Sequence, residues 1–230
     1  MNAFPAKVQY NDCASIEIKH RECVTILEVI SVGCVRGDRR LFSDLTFSAQ
    51  PGTLVQVTGP NGCGKTSLLR IICGLLEPAE GKVHWHGANI RSLGEEYFTD
   101  LTFLGHRNGV KDELTAVENL RVSSGLNGID LSRQEAEKLL QKMGLGGRER
   151  LPARLLSEGQ RRRLALARLG ICRTTLWVLD EVLTSLDKAA VTLVKALIEN
   201  HLGNGGLAIV ATHQELELST GSFQRIELAS

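Results

Sequence analysis

Eight consecutive residues, Gly59-Pro60-Asn61-Gly62-Cys63-Gly64-Lys65-Thr66, satisfy every fixed position of the pattern G-x-x-x-x-G-K-[ST]. Glycines in these places let backbone N–H groups curl around an anion without Cβ clashes. The lysine carries a charge to outer phosphates, and the threonine hydroxyl is a hard oxygen donor for magnesium. The pattern implies a nucleoside triphosphate bound with Mg2+, and Ser67 is counted with the binding residues. Downstream, Leu176-Trp177-Val178-Leu179-Asp180-Glu181 ends an apolar run with two carboxylates. Charge there is costly unless a cation or reacting water lies close, so Asp180 fits a role beside magnesium and Glu181 fits the base for an attacking water. Further polar clusters stand at Leu156-Ser157-Glu158-Gly159-Gln160, Ser185-Leu186-Asp187 and Ala211-Thr212-His213.

The elements that must position these groups are legible as patterns. Leu54, Val55 and Val57 read as a buried strand before the glycine-rich loop, and Thr66 to Cys73 is apolar at helical spacing after it. Upstream, Thr25 to Val32 and Leu41 to Ala49 alternate around a polar turn and predict an antiparallel hairpin. Gly81 to Trp85 predicts one more short strand. From Leu114 to about Arg168 the pattern is helical, with Thr115 capping Ala116 to Leu120, Ser132 preceding Gln134 to Met143, and Gly144 as a stop. Leu176 to Leu179 and Leu207 to Ala211 are short apolar runs followed by polar clusters, as expected of buried parallel strands with functional C-terminal ends.

Composition narrows the classes. With 27 basic and 26 acidic residues among 230, no general charge bias points to nucleic acid or an anionic membrane. The run Arg161 to Arg163 reads as solvated charge. No apolar run approaches the roughly 18 to 20 residues that span a bilayer, so membrane association is expected only through a partner. Residues 1–24 read as a flexible N-terminal extension lacking the features of a secretory signal, with residues 25–230 as the functional domain. The six cysteines show no disulfide-like framework and suit a reducing cytosol. Cys13, His20 and Cys23 could ligate a metal, although three such residues in a weakly patterned end are more often incidental. Cys63 reads either as a thiol acidified by a helix N-terminus or as an inert loop thiol.

These five ordered motifs make the chain from about Thr25 onward resemble an ABC-type ATPase cassette. The resemblance implies an α/β fold: a P-loop NTPase with a RecA-like core, an antiparallel β subdomain, and an inserted α-helical subdomain at about 107–170. It implies ATP and Mg2+, and a homodimer in which Ser157, Gly159 and Gln160 open a helix facing the γ-phosphate held by the other copy. His213 matches the family's switch histidine beside the γ-phosphate, and Asp187 the aspartate lining the dimer seam. Three positions depart from the family pattern. Arg36 stands where an aromatic ring usually stacks on adenine; a guanidinium plane can stack there, and the residue also reads as ordinary solvated arginine. His106 replaces a glutamine, so magnesium contact through water is expected. Val182 replaces a common proline and is expected to loosen the turn.

Leu104-Gly105-His106-Arg107-Asn108-Gly109-Val110-Lys111, with Leu114 to Leu120, is further similar to the cytochrome c maturation ATPases long called haem exporters. That likeness implies a peripheral subunit on the cytoplasmic face of the bacterial inner membrane, docked on the polytopic subunit CcmB with CcmC nearby. ATP hydrolysis there drives release of a haem-loaded chaperone. An importer or lipid-exporter ATPase, or a soluble non-transport cassette, shares the same hydrolysis motifs.

Overall fold

The computed structural model describes residues 26–184, 186–213, 216, 218–219 and 221–228. The N-terminal extension, its candidate metal ligands Cys13, His20 and Cys23, and Ser185 lie outside the described residues. The expected hairpin is formed by β1 (Leu27–Arg36) and β2 (Arg39–Ala49), and it feeds β3 (Thr53–Thr58) and α1 (Lys65–Ile72). Next, β4 (Glu80–Trp85) and β5 (Ala88–Asn89) complete an antiparallel sheet of order β2-β1-β4-β5. Two short helices, α2 (Ile90–Leu93) and α3 (Glu95–Thr99), lead into β6 (Leu101–Leu104).

The helical segment contains α4 (Ala116–Leu126), α5 (Arg133–Lys142) and α6 (Glu158–Ala167). Each begins with a capping box, in which a hydroxyl accepts from the third backbone N–H and that residue's side chain answers the cap's own N–H: Thr115 with Glu118, Ser132 with Glu135, and Ser157 with Gln160. The chain then returns to the core through β7 (Leu176–Asp180), α7 (Lys188–Gly203), β8 (Leu207–Ala211) and β9 (Ser222–Glu227). All five strands of the second sheet are parallel, in the order β6-β7-β8-β3-β9.

Burial on both faces explains the continuous apolar runs of the central strands, and the pleat divides them. Val55, Val57, Val178 and Ile209 face a core shared with α1 and the antiparallel sheet. Leu54, Trp177, Leu179, Ala208 and Val210 face a second core filled by the helical segment and α7. Three strands were not foreseen: β5 and β6 are short, with two and four residues, and β9 is mostly exposed, so none carries a clear apolar period.

On the second face, the His201 ring of α7 stacks on Trp177, with centroids 3.9 Å apart and planes 6° from parallel, and its Nε2 lies 3.2 Å from the Leu207 carbonyl. Burial pushes the imidazole pKa below the ordinary 6.5, against the opposing pull of carbonyl hydrogen bonds. Because the folded value is depressed, the unfolded chain takes up the proton first. The contribution of His201 is therefore fully present above pH 6.5 and is lost as pH falls toward the folded value. Melting curves from about pH 8 to about pH 5 are expected to show the wild-type advantage over His201→Phe, which keeps the stack but cannot titrate, shrinking on acidification.

Candidate active site

The parallel strands bring the separated motifs together. Asp180 pairs with Ala211, and Val57 pairs with Ala211 on the other side, so the segments following β7, β8 and β3 emerge at one edge of the sheet. The loop from Gly59 to Thr66 joins β3 to α1, with φ of 140° at Gly59, 80° at Gly62 and 111° at Gly64. Two of these glycines are required by close packing as well. A Cβ on Gly59 would lie 2.5 Å from the Leu228 carbonyl oxygen and 2.8 Å from Cys63 Sγ; one on Gly64 would lie 2.9 Å from the Phe42 ring. Phe42 of β2 thus braces the loop, a role that no motif announces.

Lys65 is 8 % exposed, and its Nζ donates to the carbonyls of Gly59 (2.9 Å) and Pro60 (3.1 Å), which holds the charge within the loop. The Thr66 hydroxyl donates to Asp180 Oδ2 at 2.9 Å. Asp180 is 2 % exposed, and its Oδ1 is buried with no hydrogen-bond partner among the described residues. A buried carboxylate oxygen without a donor, beside a hydroxyl oxygen, is the donor set that a hard divalent cation takes, so the residues present fit Mg2+.

Glu181 and His213 meet across this edge. His213 Nε2 lies 3.3 Å from Glu181 Oε1 and 2.9 Å from Asn61 Oδ1, which joins the loop to the strand-end acid. Thr184 donates from Oγ1 to Glu181 Oε2 at 3.2 Å. Glu181 itself has φ of 53° and is held by its N–H to the Ala211 carbonyl (2.9 Å) and by the Thr184 N–H on its carbonyl (3.2 Å). Val182 is fully buried in the second core, so the turn expected to loosen is anchored.

The other expected residues have their own local settings. Ser157, Gly159 and Gln160 form the first turn of α6, where Ser157 is exposed and Gly159 and Gln160 are half-buried. Asp187 caps α7 through Ala190 N–H (2.8 Å) and pairs with Arg163. Arg36 is exposed at the end of β1, and Ser67 is half-buried in α1. The His106 side chain is exposed, and its carbonyl accepts from Arg162. Cys63 is only 2 % exposed, which favours the inert reading of its thiol. Arg162 corrects the solvated reading of Arg161 to Arg163: it is 6 % exposed, because it shares the buried stripe of α6 with Ala165, Leu166 and, one turn on, Leu169. That i, i+3, i+4, i+7 register was the available signal.

The ABC transporter family matches residues 42–184. Over 202 residues the chain is 58 % identical to the cytochrome c biogenesis ATP-binding export protein CcmA of Nitrosospira multiformis, covering 88 % of this chain and 98 % of that one. The protein of the same name from Nitrosomonas europaea is 52 % identical, covering 90 % and 97 %. The chain belongs to this ABC transporter ATPase family. Among solved structures, a putative ABC transporter ATP-binding protein from Pyrococcus furiosus superimposes with a TM-score of 0.74 at 25 % identity, covering 88 % of this chain and 96 % of that one. A dimeric post-hydrolysis ATP-binding cassette bound to ADP and Pi shares the fold, with a TM-score of 0.71 at 22 % identity and coverage of 82 % and 88 %.

The cassette is thus an ATP-hydrolysing enzyme of the transporter class, and its domain binds ATP. No helix among the described residues is long and apolar enough to cross a membrane. The packing around the loop separates two glycines. Gly59→Ala forces a Cβ into a backbone carbonyl and is expected to weaken ATP binding by about tenfold or more, whereas Gly62→Ala meets nothing within 4 Å and carries only about 1 kcal/mol of left-handed strain. Equilibrium titration with a fluorescent ATP analogue distinguishes them, and equal losses in the two variants would contradict this packing.

Proposed function

We propose that the chain is the energy-coupling ATPase of a membrane complex for c-type cytochrome biogenesis, working as a homodimer at the cytoplasmic face of the bacterial inner membrane. The observation that carries the hydrolytic part is the junction of Asn61, His213 and Glu181 beside the buried Asp180–Thr66 contact. The pathway assignment is supported by the 58 % identity spanning nearly the whole of a cytochrome c biogenesis export protein.

Each residue's role follows from its place. Backbone N–H groups of Gly59 to Thr66 receive the phosphates, with Pro60, Asn61, Gly62, Cys63 and Ser67 shaping the cradle; Lys65 and the α1 N-terminus supply positive charge. Thr66 and Asp180 would hold Mg2+, which when bound neutralises charge on the phosphate oxygens. Glu181 accepts a proton from the attacking water, and His213, tied to Asn61, orients it. Arg36 offers a planar face to the adenine, and the exposed His106 would lie in the outer surroundings of the cation rather than bind it directly.

The first turn of α6, with Ser157, Gly159 and Gln160, serves the nucleotide of a second copy: Ser157 is exposed there, and the helix N-terminus carries the positive end of the dipole. Asp187, fixed by Arg163 and by its own cap, stands at the seam. Closure of two such half-sites on ATP, and reopening on hydrolysis, gives the stroke delivered to a polytopic subunit of the CcmB kind, with CcmC nearby. Release of a haem-loaded chaperone is the coupled output.

Glu181→Gln is expected to trap an ATP-bound dimer and to lower turnover by about two to four orders of magnitude, the scale of a lost general base. Size-exclusion chromatography in Mg-ATP with a phosphate-release assay measures both, and undiminished turnover rules out Glu181 as the base. Loss of the chain is expected to abolish covalent haem attachment to c-type cytochromes. Haem-stained gels should show recovery with the wild-type chain and none with Lys65→Ala; intact attachment in its absence assigns the cassette to another transporter.

A further inference from the structure

Arg162 projects from the second turn of α6, and its guanidinium is used as a fork. Nη2 donates to the carbonyls of Glu181 (2.7 Å) and Asp180 (3.3 Å) at the end of β7. Nη1 donates to Asn108 Oδ1 (2.9 Å) and to the carbonyls of Gly105 (3.2 Å) and His106 (3.4 Å), in the segment that follows β6. One side chain therefore closes the C-terminal ends of two adjacent strands from outside the sheet. Arginine suits this task, because its planar donors are pre-set and five acceptors can be met from one rigid group.

The contact with Glu181 has a particular consequence. At φ of 53° this residue sits in the left-handed region, which a non-glycine residue keeps only when its surroundings over-determine it. Its N–H is fixed by Ala211, and its carbonyl is held by the Thr184 N–H and by Arg162. The direction of the Cα–Cβ bond, and so the aim of the carboxylate at His213, follows from that peptide. Burial lowers the Arg162 pKa, while Asp180, Glu158 and Glu181 oppose the loss of charge; the side chain remains a cation at any working pH.

Resting on the hydrolytic reading above, we propose that Arg162 is a positioning residue that locks the backbone of Glu181, and with it the His106 segment, to the seating of α6. The helix whose N-terminus serves the partner's nucleotide is thereby the same body that aligns this chain's own water-activating carboxylate. Completion of one site and readiness of the other become a single event.

Arg162→Lys keeps the charge and removes the fork. In the full chain with its membrane partner, at saturating Mg-ATP, kcat is expected to fall about 100-fold, the scale of a roughly 1 Å misplacement, with the KM for ATP changed by less than about threefold. A residue that merely supported the fold would instead lower the melting temperature and ATP binding together. The decisive arm is a double-mutant cycle: in the Glu181→Gln background, adding Arg162→Lys is expected to lower the residual single-turnover rate by less than about threefold, because the group it aims is already gone.

A full additional loss in that background, or wild-type kcat in Arg162→Lys alone, overturns the proposal and leaves the hydrolytic reading standing. Full turnover in Glu181→Gln alone removes that reading instead. Should Arg162→Lys not fold, Asn108→Ala takes one acceptor from the Nη1 arm; a fall in kcat of about threefold to tenfold at constant KM supports the lock, and unchanged kcat refutes it.

Discussion

The structure turns on a buried charge that no single element could keep. Asp180 ends β7 almost fully enclosed, and Arg162 enters the same region from α6 equally enclosed. Alone, either would face a desolvation cost of several kcal/mol, of the order that shifts pKa values or unfolds small domains. The Thr66 hydroxyl answers Asp180 Oδ2 and five oxygen acceptors answer the Arg162 guanidinium, which leaves Asp180 Oδ1 buried with no hydrogen-bond partner among the described residues. The polar centre is thus assembled from both sides of the parallel sheet, and its completeness depends on the helical segment being seated.

Much of this was readable before any coordinates. The glycine-rich loop announces itself through fixed residue types, and the three caps Thr115, Ser132 and Ser157 are chemical punctuation that survives without tertiary context. Strand ends that place Glu181 beside His213 could be inferred because parallel strands deliver their C-terminal residues to a common edge, and the register Asp180–Ala211 fulfils this. What could not be read depended on depth. Arg162 lies between two other arginines, and only its phase on α6 distinguishes a buried fork from solvated charge. Phe42 is an unremarked strand residue until Gly64 is found against its ring. The strand β6 is too short, and β9 too exposed, to impose an apolar period.

The three departures from the family pattern also take on physical meaning. Val182, where a proline is common, is buried in the second core together with Leu183. His106 contributes its backbone to the Arg162 fork, so the position is used even though its imidazole points to solvent. Arg36 pairs with Arg39 at the turn end of the hairpin and is exposed there.

The pleat of the central strands has a consequence for heredity. Val178 and Leu179 are chain neighbours, yet one is a brick of the chamber shared with α1 and the antiparallel sheet and the other of the chamber filled by the helical segment and α7. Lesions a single codon apart can therefore damage different cores within the same molecule, while lesions on separate strands, as at Val178 and Ile209, can mimic each other. A genetic map of this cassette would sort by odd and even positions along its strands rather than by distance along the gene.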